Sequence, residues 1–147
     1  MFINPMDKSN YFRGLLVLIG KDKDVSQSES DLIKKLGNIL GFNHEFVNSA
    51  IKNILKNKYV IEEPPMFSNY NLAEIFLKDG IRVALVNSVL NLDQIKWLTA
   101  TAVKNNLSIQ WLFIELENIL ENSTAEEKNF EIQKYLNHLY NDSSFVY

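Results

Sequence analysis

Apolar residues recur at i, i+3, i+4 and i+7 along most of this chain, a period that suits amphipathic helices and not strands. Phe12, Leu15, Leu16 and Ile19 show it first, then Leu32, Ile33, Leu36, Ile39 and Leu40, then Phe46, Val47, Ala50, Ile51, Ile54 and Leu55. Start and stop chemistry borders these stretches. Ser26 with Glu29 forms a capping box, Gly41 is a natural C-terminal stop, and Asn43 can N-cap the helix that follows. Over about 58–68 the pattern breaks, because Pro64-Pro65 forbids helix at and before the pair and favours an extended connector. The period returns with Leu72, Ile75, Phe76 and Val83, then Trp97, Leu98 and Thr101, then Trp111, Leu112, Leu116, Ile119 and Leu120. A last helix is expected over about 124–141, opened by Thr124 with Glu127 as a second capping box.

The helices also repeat. At an offset of 65 residues Leu32 falls on Trp97, Ile33 on Leu98, Phe46 on Trp111, and Asn53-Ile54-Leu55 on the identical Asn118-Ile119-Leu120. One offset serves from Val25 to Asn57 without a gap, which predicts two three-helix pseudo-repeats, about 10–57 and 72–122, plus a C-terminal helix. Two copies are too few for a solenoid, so the expected fold is all-α, a compact bundle of about seven helices in one domain, with Trp97 and Trp111 in the core. A chain of 147 residues, 46 % of them apolar, can bury such a core.

Composition narrows the chemistry. The chain has no Cys, which excludes disulfides, thiolate metal sites and a thiol nucleophile and agrees with a cytoplasmic protein. The longest unbroken apolar run, Leu15 to Ile19, is far short of the ~20 residues that a membrane helix needs. His44 and His138 lie in different helices without a zinc spacing, and no Gly-rich phosphate loop or nucleophile elbow occurs, so no enzyme is expected. The net charge of -3 is unevenly spread, with Lys and Arg in excess through Val60 and Asp and Glu in excess beyond it. Glu115, Glu117, Glu121, Glu126, Glu127 and Glu131 disfavour a nucleic-acid partner there and suit a basic one. Lys34, Lys35, Lys52, Lys56 and Lys58 lack interleaved aromatics and read as a solvated face.

The most polar constellation is the first interhelical loop, Asp22 to Glu29. It is no EF-hand, because Gln27 and Ile33 stand where Gly and Glu would be needed. A helix-capping turn is the first reading; weak calcium or magnesium binding by Asp22, Asp24 and Glu29 is the second. Asp22, Val25 and Glu29, followed by the Leu32, Ile33 and Leu36 stripe and the Leu40-Gly41-Phe42 turn, resemble the signature of the TerB-like family, helical domains related to the bacterial tellurite-resistance protein TerB. The resemblance runs from about Tyr11 to Leu120 and implies a helical, non-catalytic protein-interaction module linked to stress, with a metal role attributed to Asp22 and Glu29. Lys23 stands where the family has Gly, and the second half reads Asn87-Ser88-Val89-Leu90 with Gln94, so the acids are neutral there. No other cofactor is expected. Partner contacts are expected at Tyr59, Ile61, Met66 and Phe67 around the double proline, and Phe145-Val146-Tyr147 forms a second apolar segment outside the helices, unless these fold back onto the bundle.

Overall fold

The computed structural model describes residues 3–21, 25–55, 62–87, 90–122 and 130–144. Among them are seven α-helices and no strand: α1 (Pro5–Gly20), α2 (Gln27–Ile39), α3 (His44–Leu55), α4 (Tyr70–Ala84), α5 (Leu92–Lys104), α6 (Ile109–Asn122) and α7 (Glu131–Ser144). A single 3-10 turn, Leu85–Asn87, extends α4.

Two helices form the centre. α1 buries every residue from Leu15 to Ile19, so it is not amphipathic in the way that a surface helix is, and α4 buries nine of its fifteen. They pack on each other; α2 and α3 cover α1, while α5, α6 and α7 cover α4. Close approach of the central pair depends on Gly14, where a Cβ would stand 2.6 Å from Cζ of Phe76. That ring cannot retreat cheaply, since Tyr11, Phe67 and Trp97 surround it at centroid distances of 5.1 to 6.1 Å.

Helix starts in the two halves are 65 residues apart for α1 and α4, for α2 and α5, and for α3 and α6. Capping chemistry recurs at the same offset. Asn4 and Asn69 accept from the backbone N–H three residues on, at 2.8 Å in both cases. Ser26 with Glu29 and Asn91 with Gln94 are full capping boxes. Gly41 and Asn106 end α2 and α5 with φ of 86° and 61°, and the next N–H donates to the carbonyl of Gly37 or Ala102 at 2.9 Å. The offset reaches back into α1 and α4, which share no identical residue at matched positions. Their buried positions still coincide, except where Val17 meets Arg82 and Lys8 meets Ala73.

Two expectations are corrected. α7 starts at Glu131, after the non-helical Phe130, and not at Thr124; the Thr124 and Glu127 box lies outside the described residues. Trp97 is buried, but Trp111 is only half-buried, and Phe46 at the matching position is 52 % exposed. Both of those rings lie in the first turn of their helix, at the edge of the bundle, where Phe46 stacks on Phe42 at 5.4 Å instead of entering the core.

Candidate functional site

In the first interhelical loop, Asp22 and Asp24 lie outside the described residues, so their position relative to Glu29 is not drawn. Glu29 is buried, and its Oε1 accepts from the Ser26 N–H at 3.1 Å while the Glu29 N–H donates to Oγ of Ser26 at 3.1 Å. Gln94 makes the same reciprocal pair with Asn91, at 3.1 and 2.8 Å, and its amide donates to the carbonyl of Leu18 at 3.3 Å. A neutral amide thus does in α5 what the carboxylate does in α2. Among the described residues no group of three or more His, Asp or Glu is placed to hold a metal ion.

The connector docks on the bundle where it is described. Pro64 and Pro65 keep it extended, so its backbone groups must find partners outside a helix. Trp97 Nε1 donates to the carbonyl of Glu62 at 2.9 Å, and Arg13 donates to that of Glu63 at 2.8 Å. Asn105 accepts from the Phe67 N–H at 2.9 Å and donates to the carbonyl of Pro65 at 2.8 Å. Ser68 donates through its backbone and its hydroxyl to Asp7. Lys104 pairs with Glu63 at 2.7 Å and holds that carboxyl below its ordinary value. Phe67, expected as a partner contact, is therefore a core residue at 7 % exposure, because this clamp turns it into the Tyr11 and Phe76 cluster; Met66 beside it is 58 % exposed. Tyr59, Ile61 and Phe145-Val146-Tyr147 lie outside the described residues.

One densely bonded buried side chain is passed over by pattern reading. Asp79 is buried in the middle of α4, where it accepts from the Tyr11 hydroxyl at 2.6 Å, the Glu131 N–H at 2.8 Å and the Ile132 N–H at 3.0 Å. It thus caps α7 from another helix and ties α1, α4 and α7 together. Arg82, one turn on, reaches Glu131 at 3.2 Å. Burial pushes the Asp79 carboxyl up to about 6, against the hydrogen bonds and the Arg82 charge that pull it down. Burial, with Asp79 second, raises the Tyr11 hydroxyl well above its ordinary value, so it stays protonated as the donor. The one sequence signal was an acid on the apolar face of α4, at the place that Gly14 takes in α1.

A small recess of about 10 Å³, room for about one water molecule, lies where α4, α5 and α6 meet. Ile81, Leu98 and Leu112 form its buried floor; Leu90, Ile95, Leu116 and the half-exposed Phe113 form its rim. Leu92 on α5, 64 % exposed, and Ile109 and Leu120 on α6 are further exposed apolar side chains of these two helices. Ile109, Phe113, Leu116 and Leu120 follow i, i+4, i+7 and i+11 and make one stripe on α6. The matching groove between α2 and α3 is lined by Gln27, Ser30, Lys34, Asn48, Ile51 and Lys52. Ser30, Asn48 and Ile51 there correspond to Ile95, Phe113 and Leu116. Charge inverts as well: residues 25–57 carry four Lys against three acids, whereas residues 90–122 carry two Lys against four.

No family model matches this chain, and no curated protein or solved structure does either.

Proposed function

We propose that this chain is a non-catalytic protein-interaction module of TerB-like fold, whose contact surface is the apolar face shared by α5 and α6. One observation carries the reading. Leu92, Ile95, Ile109 and Phe113 stand at positions that are Gln27, Ser30, His44 and Asn48 in the α2–α3 pair, where the helices pack with polar residues there. Those apolar side chains are therefore not needed to hold the helix pair together, and large exposed apolar groups in a cluster cost solubility unless a partner covers them. Of the three buried acids among the described residues, Asp79 and Glu29 are occupied in helix capping and Asp7 in holding Ser68, which supports a binding role over a catalytic one.

The test is a photo-crosslinking amino acid placed at position 113 and, as its control, at position 48, in the protein expressed in its own cells. Discrete adducts from position 113, absent from position 48 and lost when Ile109→His is added, are the expected result. Equal adducts from both positions, or none from position 113, would remove the assignment.

A further inference from the structure

Resting on that reading, we infer that the exposed apolar face of α6, with Leu92 and Ile95 of α5, takes the apolar side of an amphipathic helix whose flanks carry Lys or Arg. The face presents Ile109, Phe113, Leu116 and Leu120 at helical spacing along α6. A 14-residue helix is about 21 Å long, so a guest helix of roughly four turns matches it. An extended guest has no edge to pair with, because no strand is present among the described residues.

The charge beside the apolar stripe selects the flanks. Glu117 and Glu121 are exposed on α6 beside the stripe. On a helical projection Glu117 follows Phe113 by about 40° and Glu121 by about 80°, so both border the apolar stripe on one side. Lys96 is the exposed base on α5; Lys104 is already paired with Glu63. A guest with acidic flanks meets like charge along α6. A basic guest gains at Glu117 and Glu121 and runs against Lys96.

The experiment uses the full chain and two synthetic helical peptides of about five turns, with the same Leu face and either Lys or Glu on the flanks. Binding is followed by methyl NMR of Leu90, Ile95 and Leu116 and by fluorescence anisotropy. The Lys peptide should shift these methyls and leave Ile51 at the matched position unmoved. It should bind about tenfold more tightly than the Glu peptide, lose that advantage in Glu117→Lys with Glu121→Lys, and weaken with salt. Phe113→Asn, the residue present in the first half, should abolish binding while circular dichroism stays unchanged.

Equal binding of both peptides, or indifference to the charge reversals, overturns the basic-helix assignment and leaves the contact surface standing if the crosslinks at position 113 persist. A concentration-dependent dimer that Phe113→Asn disperses also overturns it, in favour of a second copy. Absence of both peptide shifts and crosslinks removes the surface itself.

Discussion

In the α2–α3 pair the residues bordering the interhelix groove include Gln27, Ser30, Lys34 and Asn48; in the α5–α6 pair the same positions hold Leu92, Ile95, Thr99 and Phe113. The helices of the two pairs begin alike, and α2 and α5 are capped and end alike. Part of what differs is a set of surface side chains that the helix pair does not require, and part lies in the core, where Leu36 meets Thr101 and Leu40 meets Asn105. The comparison separates the residues that make a helix pair from the residues that give it a surface, because each half supplies the control for the other. The same logic applies inside the core, where Gly14 and Asp79 occupy matched places in α1 and α4: one admits a neighbouring ring, the other holds the end of α7.

The comparison is broken most forcefully at its shared core. Ile33→Ala and Leu98→Ala remove matched buried side chains, and each should cost roughly 2 to 5 kcal/mol in urea unfolding. A loss confined to one of them would mean that the two helix pairs do not contribute alike.

Asp79 comes next, and it distinguishes α4 from α1. Its folded value of about 6 lies above the ordinary 3.8, so the folded chain holds this proton more tightly than the unfolded chain does. The stabilisation is complete below pH 3.8 and is lost as pH rises to about 6, a difference on the order of 3 kcal/mol. In Asp79→Asn that decline should disappear, so the stability of the parent relative to the variant falls across this window and levels off above it. Parallel pH profiles would show that ionisation of Asp79 does not couple to folding.

The caps sharpen the likeness. Ser26→Ala and Asn91→Ala should each cost about 1 kcal/mol, and Glu29→Gln, which copies Gln94, less than that. The Glu29→Gln variant also tests the cation reading of the first loop. Calorimetric titration of the parent should give calcium or magnesium binding no tighter than about millimolar. Micromolar binding abolished by Asp22→Asn or Glu29→Gln would place a cation-responsive device in the first half alone.

The smallest effect on stability is expected where the halves differ most. Phe113→Asn and Ile109→His import first-half residues at half-exposed positions and should shift unfolding by no more than about 0.5 kcal/mol. A larger loss would mean that the apolar face of α6 belongs to the core, and the proposed contact surface would fall with it.

Much of the fold was legible because helix formation is written locally. The period of Leu32, Ile33 and Leu36, the Ser26 and Glu29 box and the Gly41 stop act within a few residues of one another, and the helices observed there begin and end as these signals dictate. The 65-residue offset was readable from Val25 onward for the same reason. It was not readable between α1 and α4, where burial coincides without a shared residue, since a core position demands apolar volume and not identity.

By itself, then, the amino-acid sequence determined the helical class, the order of the helices and most of their caps, all consequences of interactions within one or two turns. Tertiary structure alone decided the rest. Asp79 caps α7 across 52 residues, Asn105 clamps the connector across 38, and Phe67 turns inward in consequence. The recess where α4, α5 and α6 meet likewise exists only because packing brings Leu90 and Ile95 beside Phe113 and Leu116. Such partners are chosen by proximity in space, and a periodic pattern carries no record of which distant group will arrive to share a hydrogen bond or leave an apolar side chain uncovered.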